Sequence, residues 1–483
     1  MFEIFISQSP KQFMLNTWIG GTLELGSKVR YGITTHGTPI YRFVPYDRSL
    51  GPFAVGCSQR NDNVHAIVEY GKEYPQTKEL PRANLVQILG NPTPESELAV
   101  LMATYAFDSK KELRPSKQKQ TEPSLPIISP ESSSQRVHLQ GWTFHIDPPG
   151  CKDVDDSFTF LKTATGWTIS INIADVAAYV KQGDPVDLMA KAKATSFYSP
   201  TGTVLAPMLP AHIEEAATLL PGQPRLCLSL QFDWSAQGQI QPTNFTWLQT
   251  VTTTNHSYTY DEAQEDFRNQ TREEIQVLAA LTGQTDSHKW VETMMILYNT
   301  HAGEALRSKR QGILRTHSQP EQEKLDKWTQ IDPDLAFLAY DSATFVGASA
   351  SNPTHFGLAT GAYAYASSPI RRYCDLVNQR ILKGEVVTDD LVQHLNKRQK
   401  QAKAFSRDLF FMTELKESRP VTGVVVESGP EKFRVYVPAW KRVVKVRSLT
   451  AIPEPKTQVS LTWYLDMKTP FWKERMVFRH TIL

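Results

Sequence analysis

What most restricts the fold of this chain is a stretch that cannot join a core. Residues 109–136, SKKELRPSKQKQTEPSLPIISPESSSQR, combine Pro, Ser, Lys and Gln with almost no large apolar residues. Such a segment buries too little to offset its conformational entropy and reads as a solvated linker. The chain is thereby divided into modules. Its 483 residues also exceed what one core holds, since domains run to about 100–200 residues.

After an N-terminal segment over 1–16, the stretches TLELGSKVRYGITT, PIYRFVPY, FAVGCS and VHAIVEY read as short strands punctuated by Gly and Pro. They predict a small β-barrel over 17–90. Helical spacing of apolar residues in ESELAVLMATYA makes 91–108 a connecting helix. Between 137 and 417, the β segments FTFL, WTISINI and LCLSLQF alternate with helical patterns, among them KWVETMMILYNTHAGEAL, PIRRYCDLVNQRIL and a long stretch over 389–415. That alternation predicts a mixed α/β core. From 418 to 483 the pattern returns to strands (VTGVVVES, KFRVYVPA, KRVVKVRSL, TQVSLTWYL), a second small barrel. The expected class is α+β.

Charge is informative only locally. The whole chain nets +2, yet residues 419–483 hold twelve Lys or Arg against five Asp or Glu, a net of +7. Arg434, Lys441, Arg442, Lys445 and Arg447, interleaved with Tyr436 and Trp440, make that module a candidate for single-stranded nucleic acid. A merely solubilising basic face is the plain alternative. The four cysteines, Cys57, Cys151, Cys227 and Cys374, form no CxxC pair, which argues against a zinc knuckle or a disulfide framework and for a reducing compartment. No run reaches the ~18 apolar residues of a membrane span, and the apolar start MFEIFI is too short for a secretory leader. A soluble, monomeric, cytoplasmic protein without membrane contact is expected, and an organelle address is compatible with the same features.

The chemistry concentrates in HIDPPGCKDVDDSFTFL, with carboxylates at Asp147, Asp153, Asp155 and Asp156 just before an alternating strand. Four acids so close repel one another unless a cation neutralises them, and all-oxygen ligands suit Mg²⁺ or Mn²⁺ rather than zinc. A turn at Pro148-Pro149-Gly150 would fold Asp147 back beside the others. An EF-hand is disfavoured, because its twelfth position would be Phe158 where a bidentate Glu is required. A solvated acidic turn is the bland reading of such a run. In ASSPIRRYCDLVNQRIL, Ser368 reads as a helix N-cap and Pro369 as the first helical residue, so Arg371 and Arg372 fall in the first turn, where free amides and guanidinium groups converge on an anion. Arg372 alternatively pairs with Asp375 one turn on.

The D-x5-D-x-D-D pattern after a hydrophobic residue resembles the signature of the RNase II/RNase R family. So, in order, do NIADVAAYV, PVDLMAKAKATSFY, PMLP with LLPGQPRLCLSL, YTYDEA, MMILYNTHAGEAL, GILRTHSQP and HFGLATGAYAYASSPIRRYCDL. The resemblance implies an RNB-type catalytic domain preceded by a cold-shock-like barrel and followed by an OB-fold. It implies a 3′-5′ exoribonuclease that hydrolyses single-stranded RNA to nucleoside 5′-monophosphates, with Mg²⁺ (or Mn²⁺) held by Asp147, Asp153 and Asp156. Asp155 would position a second metal or the attacking water, and Arg371 would meet the scissile phosphate. By the same resemblance Tyr198 clamps bases and Tyr260 lies near the RNA 3′ end. The chain departs from the family in showing one upstream barrel where two are common, and in placing Gln399 where family enzymes often carry a glutamate. A catalytically reduced RNA-binding or regulatory protein that keeps the fold is the rival reading. His317 and His355 read as structural, and Cys151 as an inert thiol.

Overall fold

The computed structural model describes residues 17–60, 62–70, 80–106, 135–235, 239–387, 390–414, 417–447, 452–466 and 468–483. The expected N-terminal segment and the expected linker, apart from residues 135–136, lie outside the described residues. The chain forms two compact units, one of residues 1–120, 199–203 and 401–483, the other of 121–198 and 204–400.

The first unit opens with five strands, β1 (Thr17–Leu23), β2 (Ile40–Pro45), β3 (Phe53–Gly56), β4 (Val64–Tyr70) and β5 (Arg82–Gly90). They close a barrel in the order β1-β2-β3-β5-β4, with β3 parallel to β5 and β4 antiparallel to β1. Alternation puts Tyr41, Phe43, Phe53, Val55, Ala66 and Val68 in its core. The first strand ends at Leu23 rather than running to residue 35 as the sequence pattern predicts. Residues 24–39 form turns instead, one of them built on Gly37 at φ +76°, where a side chain would be strained. A helix, Pro94–Leu101, starts on a capping box between Thr93 and Ser96 and continues as a π turn over Met102–Ala106, in place of one uniform helix.

The second unit is built on a seven-stranded mixed sheet. Its strands are β6 (Val137–His138), β7 (Trp142–Ile146), β8 (Asp156–Lys162), β9 (Trp167–Ala174), β12 (Pro224–Ser235), β13 (Gln239–Thr253) and β14 (His256–Tyr258), in the order β14-β7-β8-β9-β12-β13-β6. Two short antiparallel pairs accompany it: β10 (Phe197–Tyr198) with β11 (Val204–Ala206), and β15 (Ile313–Thr316) with β16 (Thr344–Gly347). One continuous core joins Phe144, Phe158, Ile171 and Phe232 of the sheet to Trp290, Met294, Tyr298 and Leu306 of the helix Ser287–Lys309 and to Leu376 and Ile381 of the helix Tyr373–Leu382. A last helix, Val392–Glu414, matches the stretch read over 389–415, and its residues from 401 onward group with the first unit.

The first unit is completed by β17 (Val421–Ser428), β18 (Lys432–Val437), β19 (Arg442–Arg447), β20 (Gln458–Leu465) and β21 (Met476–Ile482). These form an antiparallel sheet of order β19-β18-β17-β20-β21. Among the described residues β19 and β21 are not hydrogen-bonded, so the expected second barrel is an open one. This sheet meets the N-terminal barrel through Phe471, whose ring stacks on His65 at 5.1 Å and takes the edge of Tyr46 at 4.7 Å. His65 Nε2 lies 3.1 Å from the Pro470 carbonyl and Nδ1 2.8 Å from Ser96 Oγ, while the Tyr46 hydroxyl donates to Asp408. The two β modules are therefore one unit held by buried polar and aromatic contacts.

Candidate active site

The aspartates sit where three strands end or begin. β7 finishes at Ile146, one residue before Asp147, and β8 begins at Asp156. β14 runs parallel to β7, and the Asp147 amide donates to the carbonyl of Tyr258 at its end. Between β7 and β8 the chain turns at Pro148, whose carbonyl accepts from Cys151 N, with Gly150 at φ +76° as the turn requires. The predicted turn at Pro148-Pro149-Gly150 is there.

Three of the four carboxylates take separate partners. Asp147 is 2.7 Å from His145 Nδ1, and the far nitrogen of that buried ring is 2.7 Å from Ser257 Oγ. Asp153 accepts from the Tyr198 hydroxyl at 2.6 Å and lies 3.6 Å from Cys151 Sγ. Asp155, 3% exposed, accepts from the Ile370 amide at 2.8 Å and from Arg371 Nε at 3.2 Å. Asp156 sits beside Asp147 and Asp155. Among the described residues no three acidic, imidazole or thiol side chains close on one point as metal ligands do.

Electrostatics explains why such a site is costly when bare. Burial raises the Asp155 carboxyl to about 7 against the opposing pull of Arg371 and the Ile370 amide. Burial, then the charges of Asp147 and Asp155, raise Asp156 well above the usual carboxylate range. A hard divalent cation would remove that repulsion, and the all-oxygen donor set fits one. Burial also pushes the Cys151 thiol up, with Asp147 and Asp153 adding to it, so this sulfur stays protonated. Glu214, on the helix Ala211–Ala217, is a fifth carboxyl near the cluster, raised to about 7 by burial and then by Asp153, with Lys193 opposing.

The arginine loop reaches the aspartates from more than 200 residues away in the chain. Arg371 is held by Asp155 and by Ser368 Oγ at 3.1 Å, yet its side chain is 47% exposed. Burial works against its charge, but Asp155, Tyr198 and Asp156 hold the guanidinium above its ordinary range. The helix does not begin at Ser368 and Pro369 as the sequence predicts. It spans Tyr373–Leu382, preceded by a turn over 369–371. The reason is competition for the amides: Asp155 takes Ile370 N, Asp375 takes Ser368 N, and Ala194 takes Tyr373 N. Arg372 donates to Asp375 at 2.7 Å and lies over the Tyr365 ring at 4.1 Å, while its charge still acts on Asp155.

The tyrosines part company. Tyr198 touches the centre through its hydroxyl. Tyr260 is the first residue of the helix Tyr260–Asn269, and burial, then the charges of Asp147 and Asp156, raise its hydroxyl to about 12. Gln399 Oε1 accepts from Arg315, whose guanidinium lies over the rings of Phe345 and Tyr365. His317 accepts from Gly357 N and reaches the Asp341 carbonyl, and so serves a turn. Sequence reasoning missed His145, although a two-residue spacing on a strand puts His145 and Asp147 on one face. It missed Glu214 and Ser257 too, which no local pattern marks.

In the first unit, β18 and β19 pair Lys432 with Arg447 and Arg434 with Lys445. Like charges directly opposite destabilise a sheet. Glu427, 3.2 Å from Arg434, offsets part of that repulsion. A groove of about 570 Å³ runs past Glu427, Glu431, Lys432, Arg434 and Lys445. Arg442 lies 4.6 Å over Phe410 and Lys441 occupies a left-handed turn position, so of the five basic candidates Arg434 and Lys445 line the groove. Lys432 belongs with the groove and was not among them.

A model of the RNB domain matches residues 136–282 and 330–387. Ribonuclease R of Escherichia coli is 24% identical over 336 residues, 53% of this chain and 41% of that protein. The chain thus spans less than half the length of that relative. The structure of Mycoplasma genitalium RNase R superposes over 96% of this chain and 89% of its own, with a TM-score of 0.75 at 15% identity. Yeast Ssd1, described as a pseudonuclease, covers 94% of this chain and 68% of its own with a TM-score of 0.70 at 15% identity. The aspartate loop, the arginine loop and the mixed sheet lie inside the matched segments, so the chain carries an RNB domain, and through it resembles Ribonuclease R.

Proposed function

We propose that the chain is a metal-dependent 3′-5′ exoribonuclease that hydrolyses single-stranded RNA to nucleoside 5′-monophosphates. The observation that carries this reading is the contact of Asp155 with both Ile370 N and Arg371. It joins an anionic centre to a half-exposed cation, the two opposite charges that phosphodiester hydrolysis needs.

Asp147, Asp153 and Asp156, with Asp155 beside them, are the residues that would hold Mg²⁺ or Mn²⁺. The ion, when bound, would polarise a water and offset the negative charge that develops on the leaving oxygen. The protein's own groups do the rest. His145 and Tyr198 orient Asp147 and Asp153 from outside the ligand set. Asp155 and Ser368 fix one edge of Arg371 and leave the remainder open to offset charge on the scissile phosphate. Arg372 is assigned to holding the loop through Asp375. The groove of β18 and β19 is the proposed second RNA contact, with Lys432, Arg434 and Lys445 lining it and Arg447 paired across the strands with Lys432.

A catalytically silent RNA-binding protein is the competing reading, favoured by Gln399 bound to Arg315 and by a pseudonuclease sharing the fold. Among the described residues no helix is long and apolar enough to cross a membrane. A cytoplasmic place of action belongs to the proposal. The test is incubation with 5′-labelled single-stranded RNA, with and without Mg²⁺ or Mn²⁺. A ladder shortening from the 3′ end only with metal supports hydrolysis; intact RNA that nonetheless binds supports the silent alternative.

A further inference from the structure

Tyr260 does not face the aspartate centre as a bare ring. The imidazole of His288 lies flat against it, with ring centroids 3.9 Å apart and planes 8° from parallel, the spacing of stacked bases. Both residues open helices, and the two helix starts are tied together. Ser287 Oγ donates to the Tyr260 carbonyl at 2.9 Å, Ser287 N donates to Gln264 Oε1 at 3.0 Å, and Gln264 Nε2 donates back to the Thr285 carbonyl. Asp286 caps the second helix by accepting from His288 N at 2.8 Å. The backbone under the imidazole is thereby fixed.

The two rings differ in access. Tyr260 is half-buried and packs against the core of its unit, whereas the His288 side chain is 67% exposed. With the imidazole covering one face of Tyr260 and the core beside it, the open aromatic plane of the pair is the outer face of His288. Its polar neighbour is Asp286, 3.4 Å from Nδ1 and itself 61% exposed. His288 lies in residues 283–329, between the two segments that match the RNB domain.

We propose that His288 is the outer ring of a two-ring stacking wall, with Tyr260 behind it, against which the 3′-terminal base of single-stranded RNA lies. The inference rests on the exoribonuclease reading for the polarity of the RNA. Stacking tolerates any base, because every base offers a π face. The wall therefore selects for an unpaired 3′ end rather than for a sequence.

The test uses the full-length protein in EDTA and an oligoribonucleotide ending in 2-aminopurine, whose fluorescence falls on stacking. The wild type and His288→Phe quench the probe, and His288→Ala quenches it less and binds about tenfold more weakly, as the loss of one stacked base implies. The same comparison on RNA with an abasic 3′ end removes the difference between wild type and His288→Ala, which separates base contact from a merely structural role. Equal or tighter binding by His288→Ala would overturn the proposal, since the imidazole would then occupy the place of the base. So would a penalty that persists on abasic RNA, or a failure of His288→Phe to restore quenching. The exoribonuclease reading fails separately, by the absence of metal-dependent shortening in a wild type that still quenches the probe.

Discussion

Single substitutions separate the two roles proposed for Tyr198. Its ring is the base clamp expected from the family, and its hydroxyl pins Asp153 at 2.6 Å. Tyr198→Ala removes both. Loss of a stacking surface worth about 1–3 kcal/mol should lengthen the final undegraded oligonucleotide. Tyr198→Phe keeps the ring, so its end product should match the wild type, while the Mg²⁺ concentration for half-maximal rate should rise about tenfold, as for other outer-shell partners of metal ligands. Denaturing gels and a Mg²⁺ titration read the two effects. An end product lengthened equally by Phe would deny the ring its role. Among single residues the aspartates were legible because their chemistry is local, four acids within one short loop. His145 was legible in principle from strand alternation. Glu214 and His288 were not, since folding brings them to Asp153 and Tyr260 through helices whose packing no spacing rule encodes.

Elements are held by polar groups that titrate. His65 is fully buried between the N-terminal barrel and Phe471, and burial first, then Arg475, lowers its pKa from 6.5 to about 4, against the pull of the Pro470 carbonyl. The neutral ring, with Nε2–H donating to Pro470 and Nδ1 accepting from Ser96, is the form that fits. The unfolded chain binds this proton below about pH 6.5 and the folded chain below about pH 4, so stability is full above 6.5 and falls as pH drops through that window. A gap of this size corresponds to about 3 kcal/mol. Urea unfolding at pH 7 and pH 4 should show His65→Gln losing less stability than the wild type over that interval. Identical losses would mean that another group governs the acid response. Helix positions were mostly readable from apolar spacing, as over 392–414. The start of the helix at Tyr373 was not, because Asp155 and Asp375 compete for the amides that Ser368 and Pro369 would have organised.

Across the whole molecule, the chain nets +2 while residues 419–483 net +7, and the structure concentrates part of that excess in two like-charged cross-strand pairs. Removing the segment after residue 418 is a poor probe, because Phe471 and Arg475 complete the packing against the N-terminal barrel. Replacing Lys432, Arg434, Lys445 and Arg447 with Gln is a cleaner one. Each single-strand phosphate that a side chain no longer neutralises flattens the slope of log affinity against log salt by about 0.7, so the four together should flatten it by up to about 3. Fluorescence anisotropy across a salt series reads this, and an unchanged slope would confine RNA to the catalytic unit. Composition revealed the basic module. The split of Lys441 and Arg442 from the other cations needed the turn at Lys441 and the ring of Phe410.

Hydrolysis of RNA is assigned above all to the aspartate loop and Arg371 acting together. Asp155→Asn keeps the side-chain volume and removes the charge that Arg371 faces. The decisive measurement compares it with the wild type on 5′-labelled single-stranded RNA in Mg²⁺, with binding followed in parallel by anisotropy. Metal-dependent shortening by the wild type is expected, with hydrolysis lost and RNA binding retained in the variant. Near wild-type turnover by Asp155→Asn, or no shortening by a wild type that binds RNA in Mg²⁺, would contradict that assignment.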